Sequence, residues 1–273
     1  MTAEIIAIGS ELLTPHRTDT NSLFLTEQLT GIGVDVVFKT IVGDHRERLT
    51  ETIALAWKRS PIVVTIGGLG PTEDDLTREC AAVALGRSLQ QEAALAEQIE
   101  SRFRARGIRM PAINLRQTMR IERATILDNT TGTAPGQWIE QDGKVLMLLP
   151  GPPRELRPMF SNSCLPRLRQ IVPKAAIVTR MLRIVGLAES AVEEVVAPLY
   201  TKFENPVTTI LSTPGEIQLH LKGSGDTSAA AEAAVNELLP QLEAALGESV
   251  FSTDGASLEE VVGKELEAHR ASL

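Results

Sequence analysis

The 273-residue chain has little cysteine, no long apolar run and no surplus of positive charge, and each shortage excludes something. Its two cysteines, Cys80 and Cys164, are too few for a disulfide framework or a cysteine metal site. Both read as small buried side chains in a protein of a reducing compartment. No apolar stretch reaches membrane-spanning length, and no basic segment precedes the first apolar run at residues 3–8. The expectation is a soluble, cytoplasmic protein with no membrane partner. Asp and Glu outnumber Lys and Arg by 35 to 27, a formal net charge of −8, which argues against a non-specific nucleic-acid surface.

What is present is an ordinary core composition, 43% apolar and 23% charged, in a length that allows one large domain or two medium ones. The most informative stretch is residues 61–77. Pro61-Ile62-Val63-Val64-Thr65-Ile66 is short, β-branched and almost wholly apolar, as expected of a strand buried on both faces of a parallel sheet. Gly67, Gly68 and Gly70 follow, allowing positive φ and close approach of backbone N–H groups to a ligand. Thr72, Asp74 and Asp75 then lead into an apolar-periodic segment, so a helix is expected to begin between Thr72 and Asp74. A strand, a glycine turn and a helix start make an anion site. The two acids would repel a phosphate unless a cation or proton lay between.

Other strands end in a similar way. The first, residues 3–8, runs into Gly9-Ser10-Glu11, and the second, 34–41, into Gly43-Asp44. Loops at the carboxyl ends of parallel strands converge on one edge of the sheet, so Glu11, Asp44, Asp74 and Asp75 are expected together, a metal-and-phosphate arrangement. Arg116 has the planar fork of donors that suits a phosphate. Thr133, Pro135 and Gly136 belong to a flexible turn with small hydroxyl side chains, and Asp142-Gly143 marks a hairpin between 137–141 and 144–149. Gly151 and Pro152 lie in a stiff connection to the next helix. Asn21 reads either as a helix cap or as a site residue.

The string GGLGPTEDDLT at 67–77 resembles the signature of the CinA family (competence/damage-inducible protein A). That family's N-terminal domain shares its fold with the molybdopterin-binding proteins of molybdenum-cofactor synthesis. AEIIAIGSELL at 3–13, IVGDHRERL at 41–49, NLRQ at 114–117, GTAPG at 132–136 and LLPGPPREL at 148–156 extend the likeness over most of residues 1–250. Where the family usually has threonine this chain has Ser10, which keeps the hydroxyl.

The resemblance implies an α/β fold with an open, mostly parallel three-layer sheet in residues 1–171. A smaller α+β, KH-like domain is expected at 172–252, and a helix and linker at 253–273, in which 257–273 read as the helix with Leu258, Val261, Val262 and Leu266 as its apolar stripe. In longer members that helix leads into a nicotinamide-mononucleotide deamidase domain; no such domain is read in these residues, and deamidase activity is not expected of them. Gly223-Ser224-Gly225 does not form the GxxG loop of a nucleic-acid-binding KH unit, so nucleic acid is not expected as a partner. His220 reads as a packed strand residue.

Within the first domain the resemblance makes Asn21, Asn114 and Arg116 substrate contacts, and lines a nucleotide pocket with the PGPP segment at 150–153. It matches Asp44 and Asp75 to the two aspartates singled out in the molybdopterin-binding relatives. The implied activity is cleavage of ADP-ribose to AMP and ribose 5-phosphate with a divalent ion. Magnesium, manganese and cobalt are candidates, with potassium a further one, and a homodimer is implied. Asp44, Asp74 and Asp75 are then the catalytic candidates, and Glu11 joins them as metal ligands. Gly9, Ser10, Gly67, Gly68, Gly70 and Thr72 complete the phosphate site. Two alternatives stay open: binding or adenylylation of molybdopterin, and a non-catalytic nucleotide-binding module linked to competence.

Overall fold

A computed structural model describes residues 1–270, which fall into two units, Met1–Pro173 and the residues from Lys174 on. The first begins with β1 (Thr2–Ile8), a 3₁₀ turn at Ser10–Leu13, α1 (Thr20–Thr30), β2 (Asp35–Val42), α2 (Arg46–Arg59) and β3 (Ile62–Ile66). After the glycine loop come α3 (Thr77–Leu85), β4 (Leu89–Gln91), α4 (Ala93–Ala105), a 3₁₀ segment at Ala112–Thr118, and β5 (Met119–Ile121). Then follow β6 (Thr125–Leu127), β7 (Gly136–Gln141), β8 (Lys144–Leu149), α5 (Pro153–Met159) and α6 (Leu165–Ile171). One π-helical turn, Phe160–Cys164, joins the last two. Pro158 and Pro166 flank it, and neither can donate the regular i→i−4 bond.

Six strands form the sheet of this unit in the order β2-β1-β3-β8-β7-β6. The first four are mutually parallel, and β7 and β6 join through antiparallel pairings. The alternation of side chains divides the core between the two faces. Ile5, Val64 and Met147 pack on one side with Leu25, Leu29 and Phe160. Ile6, Val63 and Leu146 pack on the other with Leu49, Ile53 and Ala81. All five residues of β3 are buried, which is why its sequence is a continuous apolar run rather than an alternation. The hairpin between β7 and β8 turns through Asp142 at φ 52 and Gly143 at φ 74, the primed geometry that Asp-Gly favours.

At the opposite edge from the strand ends, Glu4 is 1% exposed and accepts from Arg59 at 2.7 and 2.8 Å and from the Ser60 hydroxyl at 2.5 Å. Burial acts to raise its pKa, but the hydrogen bonds from Arg59 and Ser60 outweigh it and the net shift is downward. A depressed carboxylate stabilises the fold above its unfolded pKa, and that stability is lost as pH falls through the folded value. Glu4→Gln should cost roughly 2 kcal/mol at neutral pH. Urea melts at pH 7 and in acid are expected to converge for parent and variant, and a constant difference between them contradicts the assignment.

The second unit comprises β9 (Ala176–Ile184), α7 (Glu189–Tyr200), β10 (Val207–Thr213), β11 (Glu216–Gly225), α8 (Ser228–Leu246), β12 (Val250–Ser252) and α9 (Leu258–Ala268). Its antiparallel sheet has the order β10-β11-β9-β12. Ile217, Leu219 and Leu221 alternate onto the face that meets Val192 and Val196 of α7 and Val235, Leu238 and Leu242 of α8. Residues 223–225 end β11 rather than linking two helices. His220 is half-buried beside Gln218, with burial and Arg183 lowering its pKa.

The segment at 253–256 is tied to β9, through a bridge between Met181 and Asp254 and a hydrogen bond from Arg183 to the Ala256 carbonyl. It is therefore part of the second unit rather than a free linker. Ser257 and Glu260 form a reciprocal cap on α9, none of whose residues is buried. Of the apolar stripe expected there, Leu258 and Val262 are exposed and Val261 and Leu266 are partly buried. The helix expected across 257–273 is observed over Leu258–Ala268, and residues 271–273 lie outside the described part.

Candidate functional site

The carboxyl ends of β1, β2, β3 and β8 share one edge of the sheet, and the start of the oppositely running β7 lies there too. The loops from these strands enclose a cavity of about 400 Å³. Its lining includes Gly9, Glu11, Asp44, residues 67–72, Asp74, Asp75, Thr133, Gly151 and Pro152, as expected, together with Gln117, Pro150 and Glu155.

The glycine loop is held from behind by the start of α3. The Thr77 hydroxyl donates to the Gly67 carbonyl at 2.8 Å, and its backbone N–H donates to the Gly68 carbonyl at 3.1 Å. Arg78 donates through its two terminal nitrogens to the carbonyls of Leu69 and Gly70, at 2.8 Å each. In a trans peptide the N–H points away from the carbonyl before it. Turning carbonyls 67 to 69 toward α3 therefore faces the N–H groups of Gly68, Leu69 and Gly70 the other way. Gly67 and Gly68 adopt φ 96 and 65, and a Cβ on Gly68 would lie 2.1 Å from the Thr77 hydroxyl. Successive N–H groups aimed outward from such a turn form an anion-binding nest. Thr77→Val should cost roughly 1 kcal/mol of stability and weaken anion binding. Chemical denaturation and phosphate titration check the two effects, and unchanged anion affinity would contradict this role for Thr77.

Asp75 closes the loop rather than capping a helix. Its carboxylate accepts from the Gly70 N–H at 2.7 Å, the Thr72 N–H at 2.8 Å and the Thr72 hydroxyl at 2.5 Å. This corrects the expected helix start: α3 begins at Thr77, because residues 72–75 are committed to the loop. Asp74 lies in the cavity lining with its pKa lowered, first by the Thr72 hydroxyl and then by its own backbone N–H. Among the described residues, the Thr72 hydroxyl donates its hydrogen bond to Asp75, and Asp74 lies beside it.

Across the cavity, Ser10 and Asp44 bind each other reciprocally. The Ser10 N–H donates to Asp44 Oδ2 at 2.7 Å, and the Asp44 N–H donates to the Ser10 hydroxyl oxygen at 3.1 Å. Ser10 thus orients Asp44 without lining the cavity itself, and Asp44 Oδ1 is engaged by no described residue. The Glu11 carboxylate folds back over Gly9, where a Cβ would meet it at 2.5 Å.

Other expected residues stand elsewhere. Arg116 pairs with Glu73 at 3.0 Å and Glu79 at 3.5 Å and is not part of the lining, which corrects its expected role as a phosphate ligand. Asn114 is buried and donates to Gln117, so Gln117 is the member of that pair that reaches the cavity. Pro135 and Gly136 are buried behind the wall. Asn21 is not the cap of α1, which is Asp19. Its amide donates to the Gly151 carbonyl at 2.7 Å, bracing the PGP segment from an adjoining cavity.

Two residues outside the expected site brace the remaining wall. Asn129, 2% exposed, donates to the Ala134 carbonyl and to Glu155, and accepts from the N–H groups of Thr131 and Gly132. Arg102 donates to the Gly132 carbonyl and pairs with Asp128 at 3.0 Å.

A family model described as the probable molybdopterin binding domain matches residues 4–170, and one described as the damage-inducible protein CinA KH domain matches 179–252. A CinA-like protein of Koribacter versatilis is 51% identical over all of this chain and 67% of its own length. The chain belongs to the CinA family. Another CinA-like protein, from Solibacter usitatus, is 50% identical over 96% of the chain and 63% of the relative. The chain thus spans about two thirds of these CinA relatives. The crystal structure of CinA from Thermoplasma acidophilum superposes with a TM-score of 0.56 at 29% identity, covering 59% of this chain and 94% of that one.

The residues of this CinA chain fit a divalent ion in one way only. Among the described residues, no three His, Cys, Asp or Glu side chains come together closely enough to hold an ion. Both oxygens of Asp75 are occupied by the loop. The expected four-ligand set of Glu11, Asp44, Asp74 and Asp75 is therefore not a preformed cage. A hard ion such as magnesium needs none, since it is held by one or two carboxylates together with substrate phosphates and water. Asp44, with Glu11 or Asp74, suits that mode.

Proposed function

We propose that the first unit hydrolyses the phosphoanhydride bond of ADP-ribose, or of a related nucleoside diphosphate compound, giving AMP and ribose 5-phosphate. The observation that carries this reading is one cavity in which an N–H nest faces the carboxylate of Asp44. The choice of ADP-ribose rests on the CinA resemblance.

The chemistry requires donors around two phosphates and a positioned water. The N–H groups of Gly68 and Leu69 meet the first need. Asp44, fixed through one oxygen by Ser10, meets the second, its other oxygen orienting the water and taking its proton as the new P–O bond forms and the bridging P–O bond breaks. Magnesium, manganese or cobalt, with potassium as a further ion, belongs to the same proposal. Held by Asp44 with Glu11 or Asp74, the divalent ion would offset charge developing on the phosphate oxygens. A cytoplasmic setting, where such nucleotides occur, is part of this reading; among the described residues no helix is long and apolar enough to cross a membrane.

Binding of molybdopterin at the same nest is the second reading, favoured by the description of the family model that matches residues 4–170. Product analysis separates the two. Incubation with ADP-ribose and each metal should release AMP and ribose 5-phosphate in equal amounts. Intact ADP-ribose in every incubation, with molybdopterin bound instead, favours the second reading.

A further inference from the structure

Among the described residues, a diphosphate entering the cavity meets five carboxylates in its lining, Glu11, Asp44, Asp74, Asp75 and Glu155, and no Lys or Arg. The expected cation, Arg116, is spent on Glu73 and Glu79. One guanidinium does lie directly behind the nest. Arg78 is fully buried, its two terminal nitrogens hold the Leu69 and Gly70 carbonyls, and its Nε has no partner. Among the described residues no carboxylate is hydrogen-bonded to it. Burial pushes its pKa down; Glu79 and Asp75 act on it only through their charge, in the sense that favours the cation, and Arg116 opposes them.

Holding two carbonyls does not require a charge, since a neutral amide could donate to them, and burying an unpaired guanidinium is costly. An arginine nonetheless stays ionised in such a place. We infer that Arg78 is the positioning residue that makes the glycine loop an anion site, its buried charge acting through the peptide units of residues 69–70 on a phosphate seated against the N–H nest. Water screens a surface cation, whereas a buried one acts through low-dielectric protein. The ligand class is a phosphate or diphosphate ester, and the inference rests on the phosphate half of the proposed function, not on hydrolysis.

The test compares binding of ADP and of adenosine by calorimetry to the full chain, to Arg78→Met and to Arg78→Lys. Arg78→Met keeps the bulk and removes the charge. It should weaken ADP by roughly 10- to 100-fold, the scale of one interaction with a charged group, and leave adenosine unchanged. Arg78→Lys restores the charge and should keep the ADP-to-adenosine affinity ratio within about threefold of the parent. A merely structural role predicts equal losses for both ligands, or the same ADP loss in Lys as in Met, and either result overturns the inference. If Arg78→Met does not fold, the Lys ratio decides alone. A parent that binds ADP but cleaves nothing removes the hydrolase reading and leaves Arg78 in place. A parent that hydrolyses ADP-ribose while Arg78→Met binds ADP normally does the reverse. A parent that fails to bind ADP overturns both.

Discussion

Asp44→Asn should lower turnover of ADP-ribose roughly 100- to 10,000-fold, the range for removing a general base, while nucleotide affinity changes little. The asymmetry follows from the contacts. Ser10 N–H holds Asp44 Oδ2 at 2.7 Å, and an asparagine oxygen can accept that same bond. The side chain therefore keeps its place, and what disappears is the proton-accepting power of the second oxygen. Steady-state kinetics and calorimetry on one preparation check this. Loss of affinity matching the loss of turnover would move Asp44 from chemistry to binding.

Asp75→Asn should behave differently, although the sequence makes the two aspartates look equivalent. Asp75 accepts three hydrogen bonds from Gly70 and Thr72 with two oxygens. Asparagine offers one oxygen and turns an NH₂ toward a donor, leaving that donor unpaired at a cost of roughly 1–3 kcal/mol. The glycine loop should loosen, so affinity and turnover fall together and the thermal midpoint drops. At that cost, affinity should fall about 5- to 150-fold. A variant with normal nucleotide affinity and stability but no turnover would return Asp75 to the catalytic role that its sequence position suggests.

That contrast explains what could be read from the chain and what could not. The strand at Ile62–Ile66 was legible because burial on both faces leaves a continuous apolar run. The Asp142-Gly143 turn was legible because its φ values restrict the residues that fit. The three-residue strands β4, β5 and β6 carry no such signal, since their pairing depends on partners 25 residues or more distant in one case and on the tertiary frame in all.

Within the site, the convergence of acids on one edge followed from the parallel topology. Individual roles did not. Asp44 and Asp75 differ only in which donors surround them, and Arg116 is removed from the cavity by Glu73 and Glu79, a pairing that residue type leaves open. Glu155 is placed by Asn129 from 26 positions away, and no local pattern announces it. Arg78 was hidden for another reason. It stands in the first turn of a helix between Thr77 and Glu79, where an arginine ordinarily reads as surface, and the two carbonyls it meets give it a buried place.

The most direct test of the account is a crystal structure of the full chain with the non-hydrolysable methylene analogue of ADP-ribose and magnesium. The bridging diphosphonate should lie against the N–H groups of Gly68 and Leu69, with Asp44 Oδ1 beside the attacked phosphorus or its ion. Arg78 should remain on the Leu69 and Gly70 carbonyls. An analogue seated outside this cavity, or one that binds with its phosphorus atoms remote from both the nest and Asp44, contradicts the central claim.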